Sequence, residues 1–173
     1  MTLFTIGHST RTVEEFIDLL RSAGVEQLAD IRTVPKSRRY PQFKSEALAQ
    51  SLRDAGIGYR HLGALGGLRH PRRDSPNTGW QNDSFRGYAD YMSTDGFRAG
   101  LQELIAWAAL APTAIMCAEA VWWRCHRRLV ADALTLRGIE VRHIVGPGIP
   151  AVHEMTAFAR AEGLSLSYPG ESG

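Results

Sequence analysis

The sequence predicts a single-domain α/β fold. Three layers are expected, with a mostly parallel sheet of about five strands and helices on both faces. Three observations carry this. Short apolar runs alternate with stretches of helical periodicity from one end of the chain to the other. Glycines close the periodic stretches at Gly24, Gly56 and Gly138. The length, 173 residues with 44% hydrophobic, suits one core.

The elements follow in order. Leu3–Ile6 reads as a strand ending at Gly7. Val13, Phe16, Ile17 and Leu20 share one helical face, with Thr12 and Glu15 spaced as a capping box. Gln27–Ile31 is a second strand, and Leu48, Leu52 and Ala55 mark a second helix. Ile57–Leu62 is a third strand, interrupted by Gly58. Residues 63–86 are too long and too rich in Gly, Pro, Arg, Asn and Ser for a plain connection, so a functional loop or lid is expected. Phe97, Leu101, Leu104, Ile105 and Ala108 give a helix, and Thr113–Ala118 is the best buried strand. Leu129, Val130, Ala133 and Leu134 give another helix, and Glu140–Val145 the last strand. Gly146, Pro147, Gly148 and Pro150 then break the chain. The expected division is a domain over 1–146 and an appendage over 147–173, with a short helix around Met155–Ala159. Order is expected to end in the turn-rich 168–173.

In such sheets ligands sit beyond the carboxyl ends of the strands. The chemically capable residues collect there. His8 and Ser9 follow the first strand, Asp30 and Arg32 the second, and His61 and the glycines of 63–67 the third. Cys117 and Glu119 follow the fourth, Cys125, His126 and Arg127 open the next helix, and His143 lies in the fifth.

Cys125 is the candidate nucleophile or redox thiol, because a helix start and neighbouring arginines favour a thiolate. His126 is its candidate base, and Glu119 and His8 are further acid–base candidates. Ser9, Asp30, Arg32, Arg38, His61 and Arg127 are the candidate substrate-binding residues. Each has a plainer role beside it. Cys117 and Cys125 are ordinary packing thiols, Ser9 is a helix cap, and Asp30 with Arg32 is a structural ion pair. A metal site from Cys117, Cys125 and His126, with Glu119 as a fourth donor, matches by ligand type but not by any spacing motif. Whether a cofactor is bound is left open.

Net charge is only +2, yet residues 32–86 balance to +7 and the remainder to −5. Of the 20 basic side chains all but Lys36 and Lys44 are arginine. That segment interleaves Arg32, Arg38, Arg39 and Arg60 with Tyr40, Phe43 and Trp80. A small anionic or phosphate-bearing ligand is the expected partner, with a nucleic-acid surface as the alternative. No apolar run spans a membrane and the start lacks the layout of a signal peptide, so no membrane partner and a cytoplasmic location are expected. Oligomeric state is left open.

TIGHS (5–9), DIRTVPKSRR (30–39), YRHLGALGG (59–67), GYADYM (87–92) and CAEAVWWRCHRR (117–128), with His143–Ile144, resemble the bacterial family called domain of unknown function 488. The resemblance covers roughly residues 3–145. It implies that His8, Ser9, Asp30, Arg32, Ser37, Arg38, His61, Gly63, Cys117, Glu119, Cys125, His126 and Arg127 occupy motif positions. It brings no activity with it. The function classes left open are an enzyme on an anionic substrate, hydrolytic or thiol-dependent, a noncatalytic nucleotide or nucleic-acid binder, and a zinc or iron domain.

Overall fold

The computed structural model describes residues 1–170. Five strands run parallel: β1 (Thr2–Gly7), β2 (Gln27–Asp30), β3 (Gly58–His61), β4 (Thr113–Cys117) and β5 (Glu140–Ile144). A short β6 (Ala151–Val152) adds antiparallel to β5, giving the order β3-β2-β4-β1-β5-β6. The helices are α1 (Val13–Ser22), α2 (Ser45–Asp54), α3 (Asp83–Tyr91), α4 (Asp95–Ala108) and α5 (Arg127–Leu136).

Strand alternation sends side chains into two cores. Ile6, Leu28, Ala114, Met116 and Ile144 pack with Phe16 and Leu20 of α1 and Leu48 and Leu52 of α2. Leu3, Ala29, Ile115 and Val141 face the other way, onto Tyr88 of α3, Leu101 and Leu104 of α4, and Leu129 and Leu134 of α5. The predicted layers are therefore present. The capping box at the start of α1 is present too, with Thr12 and Glu15 bonding each other's backbone N–H.

The central neighbours β1 and β4 feed helices on opposite faces, α1 and α5. Their connections leave in opposite directions and open a crevice at the carboxyl ends. The chain is unusually close there. A Cβ on Gly7 would lie 1.6 Å from the Glu119 carbonyl oxygen, so only glycine lets the loop after β4 cross the end of β1.

Two expectations are corrected. No helix forms around Met155–Ala159. The segment instead runs as extended chain and single turns into a hairpin of β7 (Arg160–Glu162) and β8 (Ser165–Ser167). The cause is polar: His153 and the Thr156 backbone N–H both bond the buried Asp132 of α5, which holds this stretch out of helical form. The loose end expected from residue 168 contains a fully buried Tyr168. Residues 171–173 lie outside the described residues. Among the described residues no helix is long and apolar enough to cross a membrane.

Candidate active site

Cys117 ends β4, and Cys125 stands two residues before α5. The loop between them turns back through a 3-10 turn at Trp122–Arg124 and brings the two sulfurs to 2.8 Å. Both are free thiols and both are buried. Beneath them lies Arg127, 1% exposed. Its Nε and its backbone N–H donate to the Cys125 sulfur at 3.2 and 3.3 Å. Its Nη2 donates to the Glu119 carbonyl at 2.7 Å and its Nη1 to the Thr5 hydroxyl at 3.3 Å. Among the described residues no carboxylate pairs with this guanidinium. A buried cation needs an anion beside it, and the Cys125 sulfur is the acidic group it touches. Burial alone would push the Cys125 thiol up. The bonds from Cys117 and His126 and the charge of Arg127 outweigh it and hold Cys125 well below the usual thiol range. Cys117 is driven the other way, by burial and then by sharing its proton with Cys125. The two thiols are thus driven apart, with Cys125 the more acidic of the pair.

Both cysteines open into a cleft of about 380 Å3, which Arg32, Lys36, Arg124 and His126 also line. One wall comes from the long loop and the start of α3: Gly67, Leu68, Ser84 and Phe85. Sequence predicts close backbone approach at the glycines of 63–67, and the structure shows its object. A Cβ on Gly67 would meet His126 Nδ1 at 2.4 Å. His126 Nε2 bonds the Ile31 carbonyl at 2.8 Å, which makes Nε2 the donor and turns Nδ1 toward Gly67.

The other candidates are placed as follows. Arg32 lines the cleft but is held in a buried bidentate pair by Asp30, at 2.9 and 2.7 Å. Tyr59 donates to the same carboxylate at 2.6 Å. His8 does not line the cleft. It stacks on Phe43 at 4.4 Å, donates through Nδ1 to the Ser9 carbonyl and accepts from Arg32. Burial lowers its pKa, which keeps the ring neutral. Ser9 is no cap, since Thr12 caps α1. It sits instead at φ 49, a left-handed strain for a non-glycine residue. His61 is exposed and bonds the Arg32 carbonyl, and Arg38 is exposed on its loop outside the cleft wall. Glu119 contributes its carbonyl to Arg127, while its side chain stands exposed at the rim. Among the described residues no three His, Cys, Asp or Glu side chains gather closely enough for a metal, so Cys117, Cys125 and His126 do not form the ligand set weighed from sequence. Of the aromatics in the basic segment, Phe43 and Trp80 are buried, Tyr40 is half-buried, and Phe85 lines the cleft.

Sequence reasoning placed His143 at the rim but missed the other groups behind the site. Thr5 bonds His143 Nδ1 at 2.6 Å, His143 Nε2 meets His153 Nδ1 at 2.8 Å, and His153 Nε2 meets Asp132 at 2.8 Å. Tyr168 closes the row by donating to Asp132 at 2.8 Å. Arginine has only donors and a carboxylate only acceptors, so at the two ends of the row Thr5 accepts from Arg127 and Asp132 accepts from His153. Trp122 stacks on His143 at 4.2 Å. The one available signal was Asp132 itself, an acid inside the apolar LVADAL run.

A comparison with family models matches residues 12–134 to the family described as domain of unknown function DUF488. The chain belongs to the DUF488 family. Within the match lie Asp30, Arg32, Cys117, Cys125 and Arg127. Thr5, His8, His143, His153 and Tyr168 lie outside it, so the site of this DUF488 protein is completed by residues beyond the matched span. No curated protein and no solved structure matches the chain.

Proposed function

We propose that the protein is a thiol-dependent enzyme that uses Cys125 as a nucleophile on a small anionic substrate held in the cleft. The observation that carries this is the buried guanidinium of Arg127, which has the Cys125 sulfur as its counter-charge. A thiolate held ready in a cleft is the reactive form of cysteine. Lys36 and Arg124 are exposed, line the cleft, and have no carboxylate partner among the described residues. They supply the attraction for an anion. A binding module for nucleic acid would leave the buried thiolate and its thiol neighbour without use.

The test is the pH dependence of alkylation by iodoacetamide, with the modified cysteine located by peptide mass. Cys125 should react at a nearly constant rate from pH 8 down to about pH 6, where an ordinary thiol with a pKa near 8.5 slows tenfold per unit. An ordinary profile overturns the thiolate. At low ionic strength, inorganic pyrophosphate should slow the reaction and added salt should remove the protection. Alkylation indifferent to pyrophosphate overturns the anionic substrate.

A further inference from the structure

We propose that Cys117 is the resolving thiol for Cys125, so that a peroxide entering the cleft converts the pair into a reversible intramolecular disulfide. The proposal rests on the reading of Cys125 as the resting anion and adds a chemical class of reactant and a role for the second cysteine. Its basis is geometric. The two sulfurs are 2.8 Å apart and both line the cleft, while each is held by a different element. Cys117 is pinned at the end of β4, where its carbonyl accepts from His8, and Cys125 is pinned by Arg127 at the start of α5. The loop of residues 118–124 therefore already closes the ring that the bond would seal.

The steps balance. The Cys125 sulfur attacks one peroxide oxygen. The O–O bond breaks, the leaving oxygen takes a proton and departs as water or an alcohol, and Cys125 is left as a sulfenic acid. The Cys117 sulfur then attacks the Cys125 sulfur. The S–O bond breaks, and the hydroxide leaves as water with the proton of Cys117. The peroxide has gained two electrons and the cysteine pair has lost them. Cys117 keeps its proton until this second step, because the thiolate beside it disfavours a second negative charge.

Arg127 makes the bond reversible. In the disulfide the anion is gone, and the guanidinium keeps only the Glu119 carbonyl and the Thr5 hydroxyl as oxygen partners. An uncompensated buried cation penalises the oxidised form, so a small thiol such as glutathione should reopen the bond.

The experiment treats the native protein with equimolar hydrogen peroxide, alkylates it in denaturant and weighs the intact chain. The expected result is a monomer lighter by two hydrogens with neither cysteine alkylated, returned to two alkylated cysteines by glutathione. In Cys117→Ala the expected product carries added oxygen on Cys125. A wild-type chain that gains oxygen while Cys117 still alkylates overturns the resolving role, as does a disulfide-linked dimer. These outcomes need no variant. A flat iodoacetamide profile combined with oxygen gain removes this proposal alone, whereas an ordinary profile removes the thiolate reading beneath it.

Discussion

Arg127 decides the chemistry of the cysteine pair through what it lacks. Its donors go to a sulfur, a carbonyl and a hydroxyl, and none goes to a carboxylate among the described residues. Cys125→Ser places a group there that does not ionise near neutral pH. The cation is then unpaired, and unfolding in urea should show a loss of about 3 kcal/mol or more. A loss under about 1 kcal/mol would mean that Arg127 was never balanced by this sulfur. Gly7 is the second sensitive residue. In Gly7→Ala the new methyl runs into the Glu119 carbonyl that accepts from Arg127. Iodoacetamide should then act on Cys125 with a pH profile displaced toward that of a free thiol, because the loop that fixes Arg127 has moved. An unchanged profile would show that the loop yields without disturbing the site.

Elements differ in how plainly they are written in the chain. The first helix carries a local cap, an apolar stripe and a terminating glycine, so α1 is legible from neighbouring residues alone. Thr12→Ala removes one half of its capping box and should cost about 1 kcal/mol in thermal or urea unfolding, with Cys125 reactivity unchanged. The third helix is not legible in this way. It begins inside a polar loop and contains Gly87, whose missing side chain lets the Arg69 backbone lie against it, at 2.4 Å from where a Cβ would stand. That packing is long-range and leaves no periodic mark. The expected helix at 155–159 fails for the same reason in reverse, since a distant acid on α5 claims its polar groups. At the site, Cys125, His126 and Arg127 are legible because helix starts and cations act locally on a thiol. The Cys117 contact, the turn of His8 toward Phe43 and the burial of Asp132 depend on tertiary proximity, to which no spacing rule points.

On the scale of the molecule, the segment after Gly146 reaches the core through three residues. His153, the Thr156 backbone and Tyr168 all bond Asp132, which is fully buried. A chain ending at residue 146 would leave that carboxylate without these three partners. It should lose about 3 kcal/mol or more in urea, or fail to fold. A truncated chain as stable as the full one would refute this. The same row sets a pH response. Burial first, then the charges of His153 and Arg127, press the pKa of His143 down to about 3. The unfolded chain, with an ordinary histidine near 6.5, binds the proton more readily between these values. Stability therefore holds above about pH 6.5 and falls as the pH drops toward 3, by up to about 1.4 kcal/mol per unit from this group. Urea midpoints from pH 7 to 4 should show the decline, and His143→Gln should flatten it.

The row from Arg127 through Thr5, His143 and His153 to Asp132 has one more property. Each imidazole is bonded through both of its nitrogens, so neither ring can turn without breaking two bonds at once. The row thus ties β1, β5, α5 and the segment after Gly146 together through side chains alone, with the cysteines at one end.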